Sequence, residues 1–196
     1  MTRVIAGAAG GRRLTVPPGR ATRPTSDRAR EALFSTLTSL RGQGGLAGAR
    51  VLDLYAGSGA VGLEALSRGA AHVLLVERDR RALDALRTNV ATLDLPGARV
   101  LADDVAHVAG GAEPDAPYDV VFLDPPYEVP ARAVADVLAR LVAGGWLAPG
   151  ALVVVERSSR DPAWTWPDGL QAVQDRRYGE GALWYGRAAG TPPGST

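Results

Sequence analysis

From residue 50 onward, short apolar runs alternate with segments whose apolar residues recur every three or four positions. The runs Arg50–Tyr55, Ala71–Glu77, Ala98–Ala102, Tyr118–Asp124 and Ala151–Glu156 predict strands. The periodic segments Ala60–Arg68, Arg80–Leu93 and Ala131–Val142 predict helices, with a further short helical turn near Ala106. Two late runs, Ala172–Tyr178 and Ala182–Arg187, flank Gly179-Glu180-Gly181 and predict an antiparallel hairpin. Strand–helix alternation predicts an α/β fold. Its sheet is doubly wound and mostly parallel, with right-handed crossovers and helices on both faces.

The first 41 residues follow another pattern. Arg3–Gly7 and Arg12–Val16 predict a short β-hairpin. Pro17-Pro18-Gly19 ends it, and an irregular stretch runs to Thr25. Thr25 or Ser26 can cap a helix reaching about Leu40, whose apolar positions are Ala29, Leu33, Phe34, Leu37 and Leu40. Gly42 to Gly48 reads as a linker. The expected organisation is a basic N-terminal hairpin and helix over 1–41, a main domain over 49–187, and a disordered Pro/Gly-rich tail over 188–196.

Composition narrows the chemistry. The 196 residues contain no cysteine, which excludes disulfide staples, thiolate metal sites and cysteine nucleophiles. Only His72 and His107 could offer imidazole, so no metal site is expected. Apolar content of 46% and charged content of 22% describe an ordinary globular protein. No apolar run approaches the roughly 18–20 residues that span a bilayer. The N-terminus carries no export signal, so a cytoplasmic location and no membrane partner are expected. Charge is uneven: residues 1–30 carry seven arginines against Asp27 alone, while the whole chain is only +1. A basic arm on a mildly acidic body predicts a polyanionic partner.

The first strand of the main domain runs into Asp53-Leu54-Tyr55-Ala56-Gly57-Ser58-Gly59-Ala60-Val61-Gly62. Gly57, Gly59 and Gly62 form a G-x-G-x-x-G between strand and helix, which lets a ligand approach the backbone. The next strand ends in Glu77, followed by Arg78. A carboxylate there can accept both ribose hydroxyls of an adenosine. After the third strand come Asp103-Asp104-Val105, where an acid can meet an adenine amino group; Asp104, directly before apolar Val105, is the favoured one. The set fits a nicotinamide dinucleotide or S-adenosyl-L-methionine. Asp53 favours the latter, because it can face a cationic amino group, whereas a pyrophosphate is repelled by a carboxylate near a helix N-terminus.

The fourth strand leads into Asp124-Pro125-Pro126-Tyr127. This resembles the signature of methyltransferases acting on exocyclic amino nitrogens of bases or on amide nitrogens. The lone pair of an aromatic amine is conjugated with its ring. Asp124 Oδ and the Pro125 carbonyl can accept its two N–H groups, hold the nitrogen toward tetrahedral geometry and expose the lone pair. Pro125 and Pro126 stiffen the loop. Tyr127 offers a ring on which an extruded base can stack, a contact typically worth about 1–3 kcal/mol. Positioning supplies most of the rate.

Three blocks extend this picture: Arg3–Gly7 with Gly11–Leu14, Arg23–Phe34, and the two motifs of the main domain. Together they make the chain resemble the bacterial 16S rRNA guanine-N2 methyltransferase family over about residues 3–187. The Arg23–Phe34 block is its more specific part. The resemblance implies a Rossmann-like S-adenosylmethionine-dependent fold. It further implies methylation of N2 of one guanine in 16S rRNA, on an assembled or partly assembled 30S particle. Tyr55 stands where that family often has Phe.

The residues expected at the donor are thus Asp53, Tyr55, Ala56, Gly57, Ser58, Gly59, Glu77, Arg78, Asp104, Val105 and Thr25. Those expected on RNA phosphate are Arg3, Arg12, Arg13, Arg23 and Arg28. The Arg23–Phe34 block could instead contact the donor, or Asp27, Arg30 and Glu31 could form helix-surface ion pairs. Trp164, Trp166 and Trp184 are expected to pack the last strands, the other reading being an aromatic platform for RNA. The rival functions are a DNA adenine-N6 methyltransferase, a nicotinamide-dependent oxidoreductase, and an RNA-holding protein without catalysis.

Overall fold

The computed structural model describes residues 2–17, 27–111 and 115–190. The chain divides into two compact units, Met1–Ala102 and Asp103–Thr196. The first contains α1 (Asp27–Arg41), β1 (Arg50–Leu54), α2 (Ala60–Ser67), β2 (His72–Glu77), α3 (Arg80–Leu93) and β3 (Ala98–Ala102). Its strands are all parallel, in the order β3-β2-β1. Val51 to Leu54 and Val73 to Glu77 are buried without interruption. That continuous burial belongs to a parallel strand covered on both faces. α3 buries Ala82, Leu83, Ala85, Leu86, Asn89 and Leu93, one face of a helix.

The second unit contains α4 (Val105–Ala109), β4 (Tyr118–Leu123), α5 (Ala131–Ala143), β5 (Leu147–Ser158), β6 (Leu170–Tyr178) and β7 (Gly181–Ala188). β4 and β5 are parallel, whereas β5, β7 and β6 are antiparallel in that order. The expected closing hairpin is β6–β7, turning at Gly179 and Glu180. α5 buries Val134, Val137, Leu138 and Leu141 at helical spacing. β6 has Gln171, Asp175, Arg176 and Arg177 exposed, the polar dressing that keeps an edge strand from pairing with other chains.

Several boundaries shift from the sequence expectation, among them the start of β5 and the end of β7. β5 starts at Leu147 rather than Ala151, because Leu147 pairs with Tyr118 before a register shift carries the ladder on to Val120. Pro149 and Gly150, poor strand formers, hide that beginning. β7 runs through Ala188, which pairs with Leu170, so the strand takes in the first residue of the expected tail.

The N-terminal segment packs against α2. Arg3 and Arg13 form a single antiparallel bridge, and the loop between them is pressed onto α2. Glu64, fully buried in α2, accepts the backbone N–H of Ile5 at 2.6 Å and of Ala6 at 3.0 Å. It also takes Arg68 Nε at 2.7 Å. The Ser67 carbonyl accepts Ala8 N–H at 2.8 Å, and Ser67 Oγ accepts Ala9 N–H at 2.9 Å. Gly7 has φ +82°, and a Cβ there would lie 1.8 Å from the Ser67 carbonyl oxygen, so only glycine fits. The Arg68 guanidinium lies 4.9 Å from the Phe34 ring centroid and ties α2 to α1.

Arg30, which one of the sequence readings placed in a helix-surface ion pair, is fully buried. Its Nη2 donates to the Arg3 carbonyl at 2.6 Å and to Asp27 at 2.8 Å. Burial lowers its pKa from the ordinary value, and Asp27 and Glu64 partly offset this.

Glu64→Ala removes one acceptor and strands two backbone donors and a guanidinium. The expected loss is about 3–5 kcal/mol of unfolding free energy, the cost of breaking a buried pair. Glu64→Gln keeps one amide oxygen and should lose less. Urea titration of the two variants checks both the size and the order.

Candidate functional site

The site residues of the first unit lie at the carboxyl ends of its strands. After Leu54 the chain turns sharply. Tyr55 has φ 63°, a left-handed conformation that costs a non-glycine residue of order 1 kcal/mol or more. Gly57 (φ 58°) and Gly59 (φ 82°) complete the turn. A Cβ on Gly59 would meet Leu86 Cδ1 at 2.4 Å, and one on Gly62 would meet Leu75 Cδ2 at 2.6 Å. A Cβ on Gly57, by contrast, would meet only the Tyr55 carbonyl oxygen, at 4.0 Å. Gly59 and Gly62 therefore serve helix–sheet packing, and Gly57 is the glycine that leaves backbone accessible.

Three contacts fix the turn. Ala56 N–H donates to the Val76 carbonyl at 2.9 Å. Glu77, 7% exposed, accepts Gly57 N–H on Oε2 at 2.8 Å, and on Oε1 the N–H groups of Arg78 and Asp79, each at 2.8 Å. A carboxylate has about four acceptor positions, so one remains for a ligand hydroxyl. Asn89, 2% exposed, donates from Nδ2 to the Ser58 carbonyl at 2.9 Å. The same amide pairs with Thr15, accepting its N–H at 2.8 Å and donating to its carbonyl at 2.9 Å. One side chain thus joins the N-terminal segment to the glycine turn. Sequence reasoning missed Asn89. The available signal was a polar residue on the buried face of an otherwise apolar helix.

Asp53 is 2% exposed, and its Oδ2 accepts Gly62 N–H at 2.8 Å, in the first turn of α2. Burial pushes its carboxyl up to about 7, with the nearby Glu77 adding to the rise and the Gly62 bond opposing it. A carboxyl held this far above its ordinary range gains from a cation. The same carboxylate stands on the helix N-terminus where a pyrophosphate would bind. This donor set fits a ligand with an ammonium group and a diol better than a dinucleotide phosphate. Arg78 is exposed.

In the second unit, Asp104 caps α4, its Oδ1 accepting Ala106 N–H at 2.8 Å. Asp103 lies 2.9 Å from His107 Nδ1 and accepts Asp104 N–H at 2.7 Å. His107 holds the Asp103 carboxyl below its ordinary value, and Asp103 raises the imidazole. Asp104 is therefore the helix cap, Asp103 the histidine partner. Val105 is buried.

Asp124 follows β4 directly, with Pro125 buried and Asp124 half-buried. Val129 N–H donates to the Pro126 carbonyl at 2.9 Å, closing a turn. Arg157 Nη1 donates to the Val129 carbonyl at 2.8 Å and anchors the end of that turn. Tyr127 is 71% exposed, a large ring left in solvent.

The arginines expected on RNA divide. Arg13 and Arg28 are exposed. Arg3 is exposed but lies 3.3 Å from Asp27. Arg12 is committed to the C-terminal end of α3, donating to the carbonyls of Thr92 and of Leu93, the latter at 3.1 Å. Arg23 and Thr25 lie outside the described residues.

The family described as Conserved hypothetical protein 95 matches residues 2–187. Ribosomal RNA small subunit methyltransferase D of Escherichia coli K12 is 41% identical over 154 residues, 79% of this chain and 73% of that protein. The Haemophilus influenzae protein of the same name is 34% identical over 90% of this chain and 89% of its own length. The solved structure of Escherichia coli yhhF superposes with a TM-score of 0.83 at 34% identity, covering 97% of this chain and 99% of that one. The expected Rossmann-like methyltransferase fold is therefore present. The chain belongs to the Conserved hypothetical protein 95 family, the family of the small-subunit ribosomal RNA methyltransferase D proteins.

Proposed function

We propose that this protein is an S-adenosyl-L-methionine-dependent methyltransferase that modifies the exocyclic N2 of one guanine in 16S ribosomal RNA of the small subunit. The observation that carries this reading is the Asp124-Pro125-Pro126-Tyr127 loop, set at the carboxyl end of a buried strand with its aromatic ring exposed. Nothing in nicotinamide chemistry calls for such a loop. The names of the relatives support ribosomal RNA as the substrate class.

The donor supplies a methyl group on a positively charged sulfur. Asp53 would hold its ammonium group, the remaining acceptor position of Glu77 one ribose hydroxyl, and the open Gly57 backbone its close approach. On the acceptor side, Asp124 Oδ and the Pro125 carbonyl accept the two amino hydrogens and turn the nitrogen lone pair outward. Tyr127 stacks the base. Once the nitrogen takes the methyl group it becomes strongly acidic, so its surplus proton leaves to Asp124 or water without a strong base. The stiffness of the two prolines keeps the acceptors in place, and positioning carries most of the catalysis.

Asp124→Ala should lose at least about 10²-fold in turnover while binding donor as tightly as the unaltered protein. Tritium transfer from labelled donor to naked 16S RNA and to 30S particles measures it, and nucleoside mass spectrometry identifies the product. No transfer to either substrate, with donor binding intact, would sink the proposal. N6-methyladenine as the product would redirect it.

A second outcome follows from Asp53. Its carboxyl, raised to about 7, is partly protonated at neutral pH. An ammonium placed beside it lowers that value, so donor binding releases a proton. Calorimetry at pH 7 in buffers of different ionisation enthalpy should show release of roughly half a proton from Asp53. Asp53→Asn should abolish the release. The sign for stability is opposite to that of a salt-bridged acid. The folded state favours neutral Asp53, so that contribution is present at low pH and is lost as pH climbs from about 4 to about 7.

A further inference from the structure

A cavity in the second unit plays no part in the chemistry above. It begins with an absent side chain. A Cβ on Gly186 of β7 would lie 2.8 Å from the ring of Trp166, so glycine there lets that ring settle on the strand. Trp164 meets Trp166 edge to face, with centroids 5.9 Å apart at 81°. Trp164 in turn lines a cavity of about 360 Å³, shared with Ala131, Arg132, Arg157, Asp161 and Pro162. Its volume lies within the range of small-molecule sites.

The polar atoms of this cavity are mostly donors. Trp164 Nε1 is buried and has no hydrogen-bond partner. The Arg157 side chain is 10% exposed and fixed by Asp161 at 2.9 Å on Nε and by the Val129 carbonyl at 2.8 Å on Nη1. Arg132 is exposed in the first turn of α5. With Asp161 already paired, the lining carries a surplus of positive charge. Arg157 also connects the cavity to the acid loop through Val129, whose N–H closes onto Pro126. Aromatic and proline surface and a net positive lining, with Arg132 lacking a carboxylate partner among the described residues, describe a place for a flat, anionic group.

We propose that this cavity is a subsite for an RNA nucleotide beside the target, its base against Trp164 and Pro162 and its phosphate on Arg132 and Arg157. The inference rests on the reading that RNA is the substrate. It assigns Trp164 to the platform role that the sequence left open. A base stacked there would hold the strand where it leaves the acid loop and fix which nucleotide enters.

The test uses protein labelled with 5-fluorotryptophan, the Trp164 resonance being assigned by Trp164→Phe. A single-stranded RNA hexamer containing one guanine should shift that resonance and leave that of Trp146, buried and stacked on Tyr118, in place. Arg132→Ala should weaken hexamer binding about 5- to 10-fold. Trp164→Ala should raise KM for the RNA substrate about 10-fold, with donor affinity within two-fold of the unaltered protein. An unmoved Trp164 resonance at saturating hexamer overturns the subsite. So does the same shift from inorganic phosphate at equal concentration, or an unchanged KM in both variants. If the unaltered protein methylates no RNA but the hexamer still shifts Trp164 in an Arg132-dependent way, the methyl-transfer reading falls and the subsite stands.

Discussion

Glu77 is the contact on which the glycine turn depends. Three backbone N–H groups, from Gly57, Arg78 and Asp79, converge on its two oxygens. One lies in the turn after β1, the other two at the start of the segment leading into α3. The carboxylate therefore welds two strand ends into one rigid rim. That rigidity is needed because Tyr55 sits in a left-handed conformation, which persists only where surrounding bonds over-determine it. With the rim fixed, the Gly57 backbone stays open and Asp53 stays buried beneath it.

Asn89 extends the rim to the start of the chain. Its amide holds Ser58 on one side and both polar backbone groups of Thr15 on the other. Thr15 lies just ahead of the Arg23–Phe34 block that gives the family resemblance its specificity. A chain end that could have been a separate arm is instead seated, by Glu64, Ser67 and Asn89, on the two helices that flank the glycine turn.

The strands were legible because a parallel strand buried on both faces is a continuous apolar run, as Val73 to Val76 shows. α3 and α5 were legible from spacing, and the Asp124–Tyr127 loop from its fixed composition after a strand. The beginning of β5 was not, since Pro149 and Gly150 break the local pattern while pairing with β4 sustains the strand. Nor was the burial of Arg30 and Glu64. A charged residue in a helix reads as surface unless the elements packing over it are known, and here these come from the first residues of the chain. Asp53 and Glu77 were found as acids, but their bonds to Gly62 and Gly57 belong to turn geometry that no spacing rule specifies.

Arg12 shows how charge counts mislead. Seven arginines in the first thirty residues suggest a dense polycation. Yet Arg12 neutralises the carbonyl end of α3, Arg30 is enclosed, and Arg3 faces Asp27. Groups already satisfied within the fold displace few condensed counterions when a nucleic acid arrives. The ionic-strength dependence of association should therefore be shallower than the raw tally implies, with a slope near −0.7 to −0.9 for each phosphate actually neutralised. On the proposed RNA substrate, discrimination would then rest more on shape and stacking than on bulk electrostatic attraction.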